Sequence, residues 1–240
     1  MQTTKTMKNL KTLLVLILGI VASSVMFTSC NTGSDEDNYI SPENQRQFQR
    51  NMAGTYMGNL VAKLPAKTQY DKETEFFTTR TSVKVQSDSI FKINEFPMHV
   101  LDSAIVVPSS EINETANSLR QLRTAISQLP DETLTCVYYI PYTNAVSSST
   151  YSFFVNPCSS DFKYAYIKKQ LTYGGSTHDV YFMFYINNYG GSFDIMSRKL
   201  SFDLVFASIN VDQLPNDYNY TSSSFSSKYF RPLHFVGEMN

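Results

Sequence analysis

Tryptophan is absent from the sequence, and charged residues, histidines and cysteines are scarce. Charged residues make up 17% of the chain, and the formal net charge is -1 at pH 7. Because the charge is balanced and no basic cluster is present, the sequence excludes the electrostatic footprint of a nucleic-acid-binding protein. Because tryptophan is missing, the commonest side chain for stacking a sugar ring is also missing.

No short motif of a catalytic site is present either. The sequence has no Gly-x-Ser-x-Gly elbow, no His-Glu-x-x-His helix and no phosphate-binding glycine loop. Its three histidines, at positions 99, 178 and 234, have no metal-binding spacing. We therefore expect a protein that is not an enzyme and that uses no metal or cofactor. A hydrolase whose residues meet only in space is the alternative.

The N-terminal segment has the order of features of an export signal. Lys8 and Lys11 precede an apolar run from Leu13 to Phe27, which small residues and Cys30 then follow. The run is too short and too poorly flanked for a membrane-spanning helix, so residues 1–29 are predicted to be a signal peptide. An ordinary secretory signal with an incidental cysteine is the alternative.

The four residues Phe27-Thr28-Ser29-Cys30 resemble a relaxed bacterial lipobox. The resemblance implies cleavage before Cys30, a diacylglycerol on its sulfur, and a protein that meets the membrane through this N-terminal lipid. Residues 30–40 are small and acidic, which predicts a flexible tether. Its run 35–37 resembles the surface-export signal of Bacteroidetes lipoproteins, which implies an outer-membrane lipoprotein on the cell surface. A lipoprotein on the periplasmic face is the alternative.

The remaining chain, residues 41–240, is predicted to be a single β-rich domain. Tyrosine, phenylalanine, serine, threonine and asparagine are abundant, as is typical of a sheet with one buried and one hydroxyl-rich face. Gly58, inside the first strand, indicates a bend or a close backbone approach. The predicted strands are 54–61, 76–85, 90–93, 133–142, 150–156, 162–171, 179–187, 193–196, 199–211 and 229–236.

Short links between these strands favour an antiparallel meander. About ten strands is near the number at which a twisted sheet closes or folds over itself. The same pattern is compatible with a barrel and with a β-sandwich, and both stay open.

One stretch, Glu111 to Leu129, is predicted to be a helix that ends before Pro130. Its apolar residues recur at steps of three and four and form one stripe: Ile112, Ala116, Leu119, Leu122, Ile126 and Leu129. Because the stripe is only one side wide, we expect the helix to pack on the sheet rather than to bind a partner.

Two resemblances concern the domain. A short helix followed by residues 54–58, Gly-Thr-Tyr-Met-Gly, is similar to the beginning of lipocalin-like (calycin) barrels, with Tyr56 where that family usually has tryptophan. This resemblance implies a barrel that an aromatic residue of the first strand plugs at one end. Together with residues 89–93, 96–97 and 137–140, the same stretch resembles exported Bacteroidetes lipoproteins that carry a domain of unknown function.

Two cysteines, Cys136 and Cys158, lie nearly symmetrically about the turn 145–148. A hairpin would bring them close to opposite each other, and an exported protein allows a disulfide there. Two unlinked thiols are the equal alternative.

Two serines stand in short acceptor-like patterns. Asp88-Ser89-Ile90 and Asp102-Ser103-Ala104 resemble the Asp-Ser/Thr-aliphatic acceptor of Bacteroidetes protein O-glycosylation. The resemblance implies glycans on Ser89 and Ser103, although Asp-Ser is also ordinary turn chemistry.

Two polar loops carry aromatic residues that are candidates for contacts with a partner: Tyr189, Tyr218, Tyr220 and Phe225. Exposed tyrosines provide large contact area at a low cost in conformational entropy. We expect packing or a protein contact here rather than a dedicated sugar site.

Taken together, the sequence predicts a non-catalytic, lipid-anchored protein of the cell envelope that acts as a binding or accessory module. A barrel of this size can hold one small apolar ligand, and a barrel filled by Phe and Tyr side chains is an equal possibility. The partner is accordingly a small apolar ligand or an envelope protein. A structural adhesin or pilus-type subunit that assembles by strand exchange is the alternative from another class.

Overall fold

The computed structural model describes residues 40–66, 72–141, 149–158, 166–186, 190–213 and 227–240, which form one compact unit. The strands are β1 (Gly54–Leu64), β2 (Thr74–Val85), β3 (Ile90–Phe96), β4 (Glu132–Tyr139), β5 (Thr150–Pro157), β6 (Tyr166–Tyr173), β7 (Ser176–Phe184), β8 (Gly190–Asp194), β9 (Leu200–Val211) and β10 (Leu233–Met239). The helices are α1 (Pro42–Met52), α2 (Glu114–Ser127) and the 310 helices Met98–Ala104 and Ser227–Tyr229. None of the helices in these ranges is long and apolar enough to cross a membrane.

Eight strands form a closed antiparallel barrel. β1 to β5 pair in chain order, and β8, β9 and β10 continue the ring from β5. β10 closes the ring because it pairs with β9 on one side and with β1 on the other. The expected all-β fold with one packed helix is confirmed, and the barrel is the architecture formed.

The barrel closes where β1 passes close to β10. Gly58 lies opposite Met239, and a Cβ at position 58 would overlap the backbone oxygen of Glu238. Only glycine leaves the two strands room to pair. The close backbone approach expected at Gly58 is therefore confirmed.

The simple meander is wrong at one point, because the hairpin of β6 and β7 lies outside the ring. β5 pairs with β8, and β7 pairs with β9 further along. β9 is long enough to pair with both β8 and β7 along the same edge. Its residues 200–202 pair with β8, and its residues 206–211 pair with β7.

β6 and β7 extend the pairing of the ring strands into a longer sheet of order β6-β7-β9-β10-β1-β2, on which α2 and the 310 helix Met98–Ala104 pack. α2 packs against β6 and against the 310 helix Met98–Ala104, which also contacts β10. The stripe of α2 is buried at Ala116, Leu119, Leu122 and Ile126. The packed helix expected from the stripe is thus confirmed.

The predicted start of α2 is three residues too early. The side chain of Asn113 accepts a hydrogen bond from the N–H of Ala116 at 2.8 Å, which caps the helix at Glu114. Ile112 therefore precedes the helix and is 84% exposed, although its position fits the apolar stripe.

Candidate binding site

The interior of the barrel is filled by aromatic side chains. Phe91 of β3 and Phe202 of β9 stand on diametrically opposite strands of the ring, and their ring centroids are 5.1 Å apart. Phe91 also contacts Phe153 of β5 at 6.2 Å, and Phe96 contacts Phe235 of β10 at 5.0 Å. All five side chains are buried. Side chains from facing walls therefore occupy the space in which a calycin barrel would hold a ligand.

Tyr56 of β1 and Arg198 are joined by a hydrogen bond and by stacking. The hydroxyl of Tyr56 donates to the backbone oxygen of Met52 at 2.7 Å and accepts from Arg198 at 2.8 Å. The Arg198 guanidinium also lies 5.6 Å from the ring centroid of Tyr56 and 5.5 Å from that of Phe193. Burial raises the pKa of Tyr56, and the nearby Arg198 partly offsets this shift. Tyr56 is thus a buried aromatic residue of the first strand, and its role as the plug of a lipocalin-like barrel stays a prediction.

The barrel wall divides at the point where β3 leaves β2. β2 pairs with β1 along its full length, but it pairs with β3 only through residues 83–85. Directly after this short pairing, Glu95 has a positive φ of 51°, and the register of β3 with β4 shifts. A left-handed residue bends the strand, so Glu95 turns β3 away from β2.

Asn94 holds the two strands together at this division. Its side-chain amide donates to the hydroxyl of Ser82 at 2.8 Å, and its backbone oxygen accepts a hydrogen bond from the hydroxyl of Thr81. The position where β2 and β3 separate is therefore fixed by side chains from both strands.

The first part of β2 is an open sheet edge. The N–H of Gln86 donates to the backbone oxygen of Ile90 on β3 at 2.8 Å, so the even-numbered residues of β2 direct their backbone groups toward the β3 side. For Thr78 and Arg80, no strand among the described residues lies on that side. Their N–H and C=O groups are available for pairing with another chain.

We define the edge cleft as the surface groove between this edge and the ends of β3 and β4. Its volume is about 700 Å³. Residues from four strands and the turn before β4 line it: Met57, Arg80, Thr81, Ser82, Asn94, Glu95, Asp131, Glu132 and Thr133. The groove therefore presents backbone hydrogen-bonding groups on one wall and carboxylates on the other.

Two opposite charges face this cleft without meeting. Arg80 on β2 and Glu95 on β3 form no ion pair within the described part of the chain. By contrast, Asp131 lies 3.0 Å from the Nδ1 of His99, and Glu132 is paired with Lys169. The arrangement can bind a polar, extended group that carries both charges.

Residues 51–211, two thirds of the chain, match a family model described as Domain of unknown function (DUF4840). The chain belongs to this family. No curated protein and no solved structure matches the chain. In this DUF4840 protein the match starts near the end of α1 and ends with β9, so it includes the whole edge cleft and excludes β10.

Arg80 and Glu95 of the DUF4840 domain were not among the residues predicted from sequence. A signal for the edge is the stretch Phe77–Ser82, which is rich in threonine, lacks glycine and proline, and contains one charge. That signal identifies a strand and does not show which of its edges stays open.

Five predicted site residues lie outside the described residues. They are the lipidation site Cys30 and the contact-loop residues Tyr189, Tyr218, Tyr220 and Phe225. Lipidation and loop contacts stay predictions.

The two cysteines of the domain lie on neighbouring strands but are offset by one residue. Cys136 is opposite Pro157, and the N–H of Cys158 donates to the backbone oxygen of Thr135 at 3.1 Å. The hairpin therefore brings the two cysteines close to opposite each other, as expected, with an offset of one residue. Adjacent strand residues point to opposite faces, which favours two unlinked thiols. Burial raises the pKa of the Cys136 thiol.

The two serines predicted as glycosylation sites are both half-buried and hydrogen-bonded. Ser89 lies in the turn before β3 with a φ of 69°, and its hydroxyl accepts from the Gln49 side chain at 2.9 Å. Ser103 lies in the 310 helix, and its hydroxyl donates to Asp102 at 3.0 Å. Their glycosylation stays a prediction.

Each histidine of the domain lies beside a carboxylate that is distant in sequence. His178 contacts Asp212 at 2.8 Å, rather than its neighbour in sequence. His234 lies between Asp203 and Glu73, and both carboxylates raise its pKa, Asp203 more strongly. In the portion of the chain that the structure describes, no group of three or more histidine, cysteine or acidic residues is placed to hold a metal ion.

Proposed function

We propose that this DUF4840 protein is a non-catalytic, lipid-anchored module of the cell envelope that binds a partner protein through its outer surface. The observation that carries the proposal is the contact between Phe91 and Phe202 across the barrel. Because these rings occupy the centre, the barrel serves as a rigid scaffold, and recognition takes place outside it. The edge cleft supplies the surface for that recognition.

The anchor is supported by the N-terminal sequence. Lys8, the apolar run and the residues Phe27-Thr28-Ser29-Cys30 stand in the order of a bacterial lipoprotein signal. A diacylglycerol on Cys30 and an acidic tether hold the domain at the outer membrane. The tether's resemblance to the Bacteroidetes export signal supports display on the cell surface.

The chemistry of the cleft supports binding rather than catalysis. The hydroxyl of Ser82 accepts a hydrogen bond from the amide of Asn94, which is not a base. Glu95 has no imidazole or lysine partner among the described residues. Backbone hydrogen bonds and paired charges are the interactions that these groups provide.

The strand-exchange alternative receives less support than the surface-binding module. Assembly of the pilus type needs a fold whose core is incomplete until a strand of another subunit is inserted. Here the ring closes without a donated strand, because β10 pairs with both β1 and β9. The open edge of β2 can accept a strand without exchanging one. The hydrolase alternative also receives less support, because no serine, threonine or cysteine is hydrogen-bonded to a histidine among the described side chains.

The anchor is tested by metabolic labelling with an alkyne fatty acid in a Bacteroidetes host. We expect label on the wild-type chain, loss of label in Cys30→Ala, and digestion of the wild-type protein by protease added to intact cells. Equal labelling of both chains contradicts the anchor, and protection from protease contradicts surface display.

The filled interior is tested on protein purified from the same cells. Native mass spectrometry is expected to give the mass of the lipidated chain with no further apolar adduct. A stoichiometric adduct that organic solvent extracts contradicts the surface-binding module and restores ligand carriage.

A further inference from the structure

We infer that the edge cleft docks an extended peptide segment of a partner protein, which adds to β2 as a new strand. The segment carries a carboxylate opposite Arg80 and a cation near Glu95 and Asp131. This inference deepens the proposed function and rests on it, since it names how and with what chemistry the surface binds. The occupant is identified by the edge, the shape and the charges of the cleft.

The edge itself selects an extended chain. Thr78 and Arg80 direct backbone N–H and C=O groups toward the open side of β2, and Arg80 also lines the cleft. Such a row is a template for strand addition. Folded proteins usually protect an open edge with proline, with several charges or with a covering loop. The unpaired part of β2, residues 74–82, contains neither proline nor glycine and only two charged residues, Glu75 and Arg80. No strand among the described residues pairs with its outer side, so this edge is open.

The cleft is also held open in the absence of any partner. Asn94 bonds to Ser82 on β2, while Glu95 adopts a left-handed conformation that directs β3 away. A non-glycine residue in this conformation is uncommon and is found where the surrounding structure requires it. Because the opening is built into the wall, a peptide can enter without moving a strand.

The two unpaired charges define the composition of the segment. On an antiparallel partner strand, the residue directly opposite Arg80 lies on the same face as its guanidinium, and a carboxylate there forms a cross-strand pair. Glu95 and Asp131 line the other wall and attract a lysine or arginine. The occupant thus carries both signs of charge.

A second copy of this chain fits the edge less well. In an antiparallel pairing of two β2 edges, the residue opposite Arg80 must also direct its backbone into the cleft. Within residues 77–82, only Thr78, Ser82 and Arg80 itself meet this condition, and none of them is a carboxylate. Glu75, the one carboxylate of the unpaired part of β2, lies beyond a shift in the register of β2 with β1, so it does not continue the same ladder. A partner peptide therefore complements the edge better than self-association does.

The test is selection of random eight-residue peptides displayed on phage against the full chain in detergent. We expect enriched peptides in which β-branched residues surround one acidic and one basic residue. Synthetic copies of these peptides are then titrated by fluorescence polarisation. Failure to enrich any peptide over an unrelated protein overturns the inference.

The deciding variant is Thr78→Pro, with Thr78→Ala as its matched control. Proline removes an N–H on the open side of β2 and none that faces β1, so the barrel retains its hydrogen bonds. We expect Thr78→Pro to weaken peptide binding by about tenfold or more, and Thr78→Ala by less than about threefold. An equal effect of the two variants contradicts strand addition.

A charge reversal gives an independent readout that does not rely on a proline. Arg80→Glu is expected to lose the selected peptides and to regain binding when their acidic residue is changed to lysine. Absence of this rescue overturns the assignment of charges. If Thr78→Pro does not fold, the Arg80→Glu experiment alone tests whether the peptide binds at the edge of β2.

Analytical ultracentrifugation of the wild-type chain measures its oligomeric state and so tests the other candidate occupant, a second copy of the chain. A dimer that dissociates in Thr78→Pro assigns the edge to a second copy and overturns the peptide inference. Lipid labelling of Cys30 and native mass spectrometry do not depend on β2, so failure of the peptide selection alone leaves the anchored module intact.

Discussion

At the scale of single residues, Arg198 connects parts of the chain that are far apart in sequence. It has a φ of 56°, donates to the hydroxyl of Tyr56 and to the backbone oxygen of Asn51, and lies beside the ring of Phe193. One guanidinium thus joins the end of α1, the first strand and the turn after β8. The planar guanidinium, with several N–H donors in fixed directions, allows Arg198 to make these contacts at the same time.

We expect Arg198→Ala to lower the free energy of unfolding by about 1 to 2 kcal/mol, because a hydrogen bond to a buried hydroxyl and the stacking are both lost. Arg198→Lys keeps the charge but not the fork, so it should recover less than half of the loss. Urea unfolding measures both. Arg46→Ala, at an exposed pair of 4.0 Å, is the control and should change stability by less than about 0.5 kcal/mol. Equal effects at positions 198 and 46 contradict the role of Arg198.

His234 makes stability depend on pH. Its pKa is raised above the ordinary 6.5, first by Asp203 and then by Glu73. The folded state therefore holds the proton more tightly than the unfolded state. This contribution is fully present below pH 6.5 and is lost as the pH rises through the higher folded value.

We expect the difference in unfolding free energy between wild type and His234→Gln to decrease as the pH rises from 5.5 to 8.5. Asp203→Asn and Glu73→Gln should each flatten this dependence, because both carboxylates raise the pKa of His234. Urea unfolding at several pH values measures it. A difference that is constant with pH would show that the proton of His234 does not stabilise the fold.

At the scale of elements, α2 depends on the residue that begins it. The cap at Asn113 excludes residues 111 and 112 from the helix, although the apolar spacing extends to them. Glu111 is instead held outside the helix, where its carboxylate bonds to the hydroxyl of Tyr229 and its backbone oxygen accepts from Arg120. A local hydrogen bond therefore outweighs the periodicity at the end of the stripe.

We expect Asn113→Ala to destabilise the protein by about 1 kcal/mol, since the N–H of Ala116 loses its cap. Asn113→Asp should retain the wild-type stability because aspartate caps as well as asparagine does. Thermal unfolding followed by circular dichroism measures both. Asn117→Ala, one turn further along the exposed side, is the control; it removes an exposed hydrogen bond from Arg120 at 3.0 Å and should cost less than about 0.5 kcal/mol. A loss at position 117 as large as that at 113 would argue against the cap.

At the scale of the whole molecule, ring closure depends on the contact of β10 with β1. We expect Gly58→Ala to destabilise the barrel by about 2 kcal/mol or more, because its new methyl group overlaps the backbone of Glu238. Asn59→Ala, the exposed neighbour on the same strand, should change stability by less than about 0.5 kcal/mol. Denaturant unfolding compares them. Equal stability of the two variants would show that β1 and β10 tolerate separation.

The strands were predictable because alternation and turn residues are local signals. All ten predicted strands occur, and Gly58 was identified correctly as a point of close approach. Placing the hairpin of β6 and β7 outside the ring required knowing that β9 pairs with two strands on one edge. Strand order depends on contacts between residues distant in sequence, which no local pattern encodes.

The sequence by itself determined the all-β class and the packed helix, because side-chain periodicity and composition decide which faces avoid water. Only the tertiary structure decided that the sheet closes, that Phe91 meets Phe202, and that β2 has an open edge beside Glu95. The physical reason is register. A cleft between two strands is created by where their pairing stops, and that point depends on twist, on one left-handed residue and on the side chains that hold the division together.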